Sequence, residues 1–152
     1  MIREVPMKIT LQQMENEELE VIIRYPELTQ QVKGIVRYLR TNDACIVIKE
    51  GMERKFINVH EIYYVESLER KTFVYTKDQV YRAEKKLTQL QKELAIYDFV
   101  LVSRTCLLNL NHLKSVETIS NSRLEGTLRN GEKISISRTY AYQIKRYFEG
   151  GH

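Results

Sequence analysis

Short polar, cationic stretches interrupt the apolar pattern of this chain at two places where chemistry could occur. Arg104 lies between Ser103 and Thr105, directly after an apolar run, and Arg138 directly follows the predicted strand over residues 133–137. An arginine at such a break can contact a guanine edge through two hydrogen bonds or bind a phosphate, and the flanking hydroxyls suit phosphate oxygens. The alternative interpretation of Arg104 is a surface salt bridge.

The positive charge of the chain is concentrated in its last third. Residues 99–152 hold eight Lys/Arg and four Asp/Glu, whereas residues 1–44 hold six and seven, and residues 45–98 hold ten and nine. A local cationic surface suits a polyanionic partner, because neutralising phosphates releases condensed counterions. A net charge of +4 is also compatible with a solvated surface that only maintains solubility.

Several function classes lack their sequence signatures. There is no Gly-rich phosphate loop, no nucleophile elbow and no His beside a candidate Ser or Cys nucleophile, so we predict neither an enzyme nor a cofactor. Cys45 and Cys106 lie in apolar runs and are expected to be buried, reduced thiols. The three histidines lack metal-ligand spacing. Without an apolar run of about 20 residues or a signal peptide, a cytoplasmic protein is expected.

Closely spaced strand patterns predict an antiparallel, mainly β body with some helix. Asn130-Gly131 between two such runs is a strong hairpin signal, since both residues accept positive φ, and residues 50–52 form a second expected turn. The strands expected before the one convincing helix are residues 45–49, 55–59, 62–66, 72–77 and 80–82, and those flanking Asn130-Gly131 are residues 124–129 and 133–137.

Two helices are predicted in this body. Residues 84–97 place an apolar stripe on one face, which is expected to pack on the sheet. Residues 140–148 predict a short basic terminal helix. Lys145 and Arg146 lie in this segment and, like Lys114, are candidates for phosphate contacts along a nucleic-acid backbone. The stripe of the first helix comprises Leu87, Leu90, Leu94 and Tyr97.

The first 43 residues predict a small strand–strand–helix extension before a body over residues 44–149. Strands are expected at residues 7–11 and 19–25, and a helix with one apolar stripe at residues 28–40. A unit of this size cannot bury its own apolar stripe. It must therefore dock on the following domain or dimerise with a second copy. The stripe comprises Val32, Ile35, Val36 and Leu39.

The body resembles the LytTR family, the β-rich DNA-binding domains of bacterial transcription regulators. The resemblance runs from Ala44 to Phe148 and keeps the order and spacing of the family's motifs. Family members often carry an Arg and a His where this chain has Leu101 and Ser103, which alters those two contacts but not the architecture. The matching positions are residues 62–66, Phe99, 103–105, 108–110, 113–116, 130–131 and 136–140.

This resemblance implies a binding mode in which loops, not a helix, read the duplex. It places Arg70, Lys71 and Thr72 in a loop that enters the major groove, with Ser103, Arg104, Thr105 and Arg138 as further DNA contacts. Thr139 and Tyr140 are expected to serve the turn and its packing. Asn109 and Asn111 are expected to satisfy backbone groups.

The function predicted is that of a sequence-specific regulator of transcription that binds double-stranded DNA, as a homodimer. The 43 residues before the body are too few for a receiver domain, so we expect no phosphorylation switch. The resemblance implies control by a partner, often a small membrane protein encoded nearby. The rival hypothesis is a β-sheet interaction module whose basic third binds an acidic protein.

Overall fold

The computed structural model describes residues 7–15, 18–42 and 44–149. Within these ranges, no helix is long and apolar enough to cross a membrane. The elements in chain order are α1 (Gln30–Asn42), β1 (Cys45–Glu50), β2 (Glu53–Asn58), β3 (Tyr64–Leu68), β4 (Lys71–Tyr75), β5 (Val80–Ala83), α2 (Leu87–Leu94), β6 (Phe99–Ser103), β7 (Cys106–Asn109), β8 (Leu113–Thr118), β9 (Leu124–Leu128), β10 (Lys133–Ile136) and α3 (Arg138–Phe148).

The strands form antiparallel sheets, as the sequence predicted. One is the β1–β2 hairpin, a second has the order β5-β4-β3-β7-β6, and a third has the order β10-β9-β8. The connections are short and mostly local hairpins, which is why closely spaced strand patterns indicate this architecture. The predicted fold class, mainly β with a few helices, is therefore confirmed.

The five-stranded sheet lies between two hydrophobic cores. Val65 and Leu107 contribute to the core shared with β1, β2 and α2, whereas their neighbours Tyr64 and Leu108 contribute to the core shared with the three-stranded sheet and α3. Successive side chains of a strand point to opposite faces, so a central strand of a sheet that is covered on both sides is buried at every position. All four residues of β7 are accordingly buried.

Both predicted hairpin turns are present, but they differ in detail from the expectation. Gly51 takes φ 62° between β1 and β2, and Gly131 takes φ 89° between β9 and β10. Asn130 does not share this conformation. Its side-chain oxygen instead accepts a hydrogen bond from the Glu132 N–H at 3.0 Å. The amide thus closes the turn through its side chain, and only the glycine needs the left-handed region.

The predicted helix over residues 84–97 is regular only from Leu87 to Leu94. It continues as a 3₁₀ turn, Ala95–Tyr97, and ends at Asp98 with φ 66°. Its stripe is buried at all three leucines, as predicted, while Tyr97 is only partly buried. The helix therefore serves the core and leaves its polar face to solvent.

Helix α1 begins two residues later than predicted and contacts the body. The Thr29 hydroxyl accepts a hydrogen bond from the Val32 N–H at 3.3 Å, which satisfies one open donor at the helix start. Arg37 reaches the body, with Nε 2.9 Å from Asp98 Oδ2 and a guanidinium nitrogen donating to the Tyr147 hydroxyl at 2.9 Å. The four residues of the predicted apolar stripe are partly buried.

The strand predictions for residues 7–11 and 19–25 are wrong. The described residues between 7 and 29 form no strand or helix, and most of their side chains are exposed. Leu11 is 93% exposed and Leu19 is 95% exposed. Alternating apolar residues favour a strand only when another strand accepts and donates its backbone hydrogen bonds. The described part of the chain places no such partner beside these segments.

Candidate nucleic-acid interface

Two of the predicted DNA-binding turns lie side by side at one end of the five-stranded sheet. β3 and β7 are antiparallel neighbours, with Glu66 opposite Cys106. The end of β3 therefore lies beside the start of β7, and the two turns that follow and precede these strands meet there. The Ser67 N–H donates to the Thr105 carbonyl at 2.8 Å, which joins the turns directly.

The start of α3 is joined to the same end of the sheet. The Ser137 N–H donates to the Val102 carbonyl near the end of β6 at 2.8 Å, so Arg138 lies close to the β6–β7 turn. Three segments far apart in the sequence thus converge on one surface. We call it the turn surface and define it by residues 69–71, 103–105 and 138.

The β3–β4 turn has two residues in the left-handed region. Leu68 pairs with Lys71, and Glu69 and Arg70 between them take φ 51° and 65°. Two consecutive residues with positive φ form the turn that matches the right-handed twist of paired strands. Glu69, Arg70 and Lys71 are all exposed at the tip. Non-glycine residues rarely adopt this conformation, so the turn is strained at the position where contact is expected.

Thr72 does not belong to this exposed set, which corrects the sequence-based expectation. Its side chain is only 6% exposed, whereas its neighbour Lys71 is exposed. The two residues lie on β4, where consecutive side chains alternate between the faces of the sheet. Thr72 therefore lies on the covered face of the sheet and outside the exposed tip of the turn.

The β6–β7 turn is closed by the hydroxyls that flank Arg104. Ser103 Oγ accepts a hydrogen bond from the Thr105 N–H at 3.2 Å and lies 3.5 Å from Thr105 Oγ1. Ser103 is partly buried, and Arg104 and Thr105 are exposed. Ser103 thus shapes the turn, while Arg104 is carried at its tip.

Arg138 lies in a different structural context from the one predicted. It was expected on a loop tip after a strand, and it is the first residue of α3, two residues before the predicted helix start. Ser137 precedes it in extended conformation as the N-cap. The Ser137 side chain makes no capping hydrogen bond, and Arg138 and Thr139 separate it from the first apolar residues of the helix, so the sequence carries no clear start signal at this boundary. Arg138 nevertheless remains exposed.

Lys145 and Arg146 lie in the last turn of α3, away from the turn surface. Seven residues of α-helix separate Lys145 from Arg138, a rise of about 10 Å. Lys145 is exposed, and the Arg146 guanidinium lies 5.7 Å from the centre of the Tyr142 ring. The structure therefore separates the predicted contacts into a group at the turn surface and a group along α3.

The cations of the turn surface make no ion pair within the part of the chain that the structure describes. The four ion pairs found there involve Arg37, Lys55, Lys85 and Lys133, none of which belongs to this surface. Arg104 was alternatively interpreted as a salt-bridge residue, but it has no ion-pair partner among the described residues. The first turn of α3 also lacks acidic residues, so its positive dipole end is not neutralised locally.

A small cavity of about 240 Å³ lies behind the turn surface, between the five- and three-stranded sheets. The Tyr64 hydroxyl donates to Glu132 Oε1 at 2.6 Å, which ties the sheets together across it. Burial, together with the charges of Glu66 and Glu132, raises the pKa of the Cys106 thiol to about 12. The described residues contain no cluster of three or more His, Cys, Asp or Glu side chains suited to a metal ion.

The two asparagines that were expected to satisfy backbone groups do so. Asn109 is 0% exposed, and its amide donates to the Ile62 carbonyl at 2.9 Å while its oxygen accepts from the Asn111 N–H at 3.0 Å. The Asn111 amide donates to the Tyr97 carbonyl at 3.4 Å. Cys45 departs from expectation because it is exposed, and Cys106 is buried; both are free thiols.

Comparison with known proteins points to one family. The profile of the LytTr DNA-binding domain matches residues 53–149. The sensory transduction protein LytT of Bacillus anthracis is 28% identical over 120 residues, which cover 79% of this chain and 48% of that protein. The transcriptional regulatory protein YpdB of Escherichia coli K12 is 31% identical over 109 residues, covering 70% and 44%.

The fold of the body is also found among solved structures. A LytTr DNA-binding domain from Bacillus cereus superposes with a TM-score of 0.63 at 20% identity and covers 68% of this chain and 95% of that one. The chain spans about half the length of the curated relatives it matches. The family profile matches more than half of the chain, over most of the β body, and this shows that the chain belongs to the LytTR family of DNA-binding domains.

Proposed function

We propose that this chain is a transcription regulator that binds double-stranded DNA in a sequence-specific manner, with the turn surface in the major groove. The observation that supports this most is the convergence of the β3–β4 turn, the β6–β7 turn and the start of α3. Two backbone hydrogen bonds, Ser67 to Thr105 and Ser137 to Val102, hold the three segments together. A preorganised surface of this kind loses little conformational entropy when it binds.

The chemistry of the turn surface suits a duplex. Arg70 and Arg104 project from turn tips, where a guanidinium can reach the guanine edge and form two hydrogen bonds. Arg138, exposed at the start of α3, is the third candidate for a base contact. Lys71 supplies further charge for phosphates, and the amide groups at the start of α3 can also bind a phosphate oxygen. Lys145 and Arg146, about two helical turns away, would follow the DNA backbone instead.

The remaining features of this function are part of the same proposal. The regulator would bind as a homodimer on an operator with two half-sites, since symmetric dimers read repeated sites. The family resemblance suggests control by a small membrane protein, which co-purification from membranes would test. The surface would bind DNA without catalysing a reaction on it.

The test begins with the selection of bound sequences from a random duplex library. Fluorescence anisotropy then compares a selected and a scrambled duplex at several salt concentrations. Arg104→Ala and Arg138→Ala should each lower the ratio of specific to non-specific affinity by about tenfold, because a base contact contributes roughly 1–3 kcal/mol of discrimination. Lys145→Ala is the matched control: it should keep this ratio and make the salt slope shallower by about one unit.

Two outcomes would contradict parts of this proposal. Equal losses on both duplexes for every variant would make the arginines phosphate anchors and leave Arg70 as the better candidate for specificity. Failure of the folded chain to bind any duplex in a salt-dependent manner would refute DNA binding and favour an acidic protein partner.

A further inference from the structure

The β1–β2 hairpin presents an exposed apolar patch on its outer face. Val47 and Phe56 are register partners, so their side chains share that face, and they are 52% and 68% exposed. Lys49 and Arg54 form the next pair on the same face and are both exposed. The opposite face packs into the core through buried isoleucines. We call these four residues the hairpin patch.

A second uncovered apolar feature lies in residues 18–25, which we call the N-terminal segment. Leu19 and Val21 are exposed, and the segment alternates apolar residues as a strand does without forming one. Its two glutamates, Glu18 and Glu20, outnumber its single cation, Arg24. The segment therefore combines strand-like apolar side chains with negative charge, whereas the hairpin patch combines apolar side chains with positive charge.

We propose that the N-terminal segment of one copy packs on the hairpin patch of a second copy, and that the reciprocal contact closes a two-fold homodimer. Leu19 and Val21 would cover Val47 and Phe56, and the glutamates would lie near Lys49 and Arg54. An isologous pair of this kind uses the same surfaces on both copies and leaves no open end for further assembly. This inference specifies the interface of the homodimer in the proposed function, and it does not depend on DNA binding itself.

The exposure of both surfaces in the single chain favours a second copy over the chain's own segment. The N-terminal segment precedes α1, and the hairpin patch follows it, so a helix of 13 residues, about 20 Å long, separates them. Arg37 fixes this helix to the body through Asp98 and Tyr147. Only residues 26–29 connect the segment to α1, and both apolar surfaces remain exposed in the single chain.

The two surfaces supply a large part of the area of a standard interface. Burial of one large apolar side chain removes roughly 60–120 Å² of surface. The exposed apolar residues of the N-terminal segment and the hairpin patch therefore provide on the order of 500 Å² per copy, against about 800 Å² per partner in a standard interface, and the charged side chains around them add polar area. These apolar residues are Leu19, Val21, Ile22, Tyr25, Val47 and Phe56.

Sedimentation equilibrium on the full chain provides the first test. The wild type should dimerise, and Val21→Glu or Phe56→Glu should each raise the dimer dissociation constant by about tenfold or more. Ile96→Glu is the matched control, because Ile96 is an equally exposed apolar residue outside both surfaces. Circular dichroism should show all three variants folded, since none of these side chains is buried in the monomer.

A cross-linking test identifies the two surfaces that meet. Cys45 is exposed and lies on the outer face of β1, two residues from Val47, whereas Cys106 is buried. Under mild oxidation, Val21→Cys should form a disulfide with Cys45 of the second copy and give a covalent dimer on a non-reducing gel. Val21→Cys combined with Cys45→Ser should give less covalent dimer, and Ile96→Cys with native Cys45 should give none.

Three results would overturn this proposal. The first is a wild type that stays monomeric at all concentrations tested. The second is a disulfide between the thiol introduced by Val21→Cys and Cys45 within one chain, which would show that the segment covers its own hairpin. The third is a dimer that Val21→Glu dissociates and Phe56→Glu does not, which would place the segment on another surface. None of these results depends on whether the chain binds DNA.

Discussion

The β3–β4 turn allows stability and DNA binding to be separated by substitutions at one residue. Arg70 has φ 65° and follows Glu69 at φ 51°. An L-residue in this region is disfavoured by about 1–2 kcal/mol relative to the right-handed region, and glycine avoids this penalty. Glycine also makes the unfolded chain more flexible, and this cancels about 0.4–1 kcal/mol of the gain in stability. Arg70→Gly should therefore raise the free energy of unfolding by roughly 0.5–1 kcal/mol.

The same substitution removes an exposed cation from the turn surface. DNA affinity should fall while stability rises, and the salt slope should become shallower by about one unit if Arg70 contacts a phosphate. Arg70→Ala is the matched control: it removes the same charge but retains a side chain at positive φ, so it should lose affinity without the gain in stability. Urea unfolding and anisotropy titration measure the two quantities.

The reasoning fails if Arg70→Gly destabilises the protein, because the positive φ would then not be a source of strain. It also fails if both variants bind DNA as the wild type does, because the β3–β4 turn would then lie outside the interface. A gain in stability with unchanged binding would retain the strain argument and remove Arg70 from the DNA-binding surface.

Three further predictions concern the interior. A Cβ added at Gly126 would lie 2.8 Å from the Cδ1 atom of buried Leu113, so Gly126→Ala should lower the free energy of unfolding by about 1–3 kcal/mol in urea. Burial lowers the pKa of His112 below its ordinary value near 6.5. As the pH falls through this range, the unfolded state therefore binds more protons than the folded state. Stability should therefore decrease as the pH falls from about 7 to about 5, and His112→Gln should show a weaker dependence. Because Cys106 is buried with a raised pKa and Cys45 is exposed, iodoacetamide should modify Cys45 first; equal rates would contradict the burial of Cys106.

Local patterns were enough to predict most elements of the body. The apolar stripe of α2 repeats every three to four residues, and this period specifies which side chains face the core before any partner is known. The glycines at positions 51 and 131 mark turns because their backbones reach the left-handed region without a steric penalty. Antiparallel pairing of closely spaced strands follows from short connections, which can only reverse the chain locally.

The tertiary structure decided which face of each strand is covered. Thr72 and Lys71 both fit a strand, and only the packing of β4 against its neighbours shows that Thr72 is the buried one. Cys45 likewise sits in an apolar run and yet faces solvent at the start of β1. Strand periodicity specifies two alternating faces but does not identify the covered one.

The N-terminal region shows the same limit for whole elements. Residues 19–25 have the alternation of a strand, but a strand requires the hydrogen bonds of a second one, and none of the described residues provides them. The start of α3 at Arg138 was also missed, since Ser137 at the N-cap position makes no capping hydrogen bond through its side chain.

The sequence by itself determined that cations follow the ends of strands at residues 70, 104 and 138. Only the tertiary structure decided that these positions form one surface. β3 and β7 are neighbours in the sheet although about 40 residues separate them, and the Ser137 N–H, at the end of a strand in another sheet, donates to β6. Contacts between distant segments depend on the packing of the whole chain, because the backbone hydrogen bonds of one strand can be made equally well by many other strands.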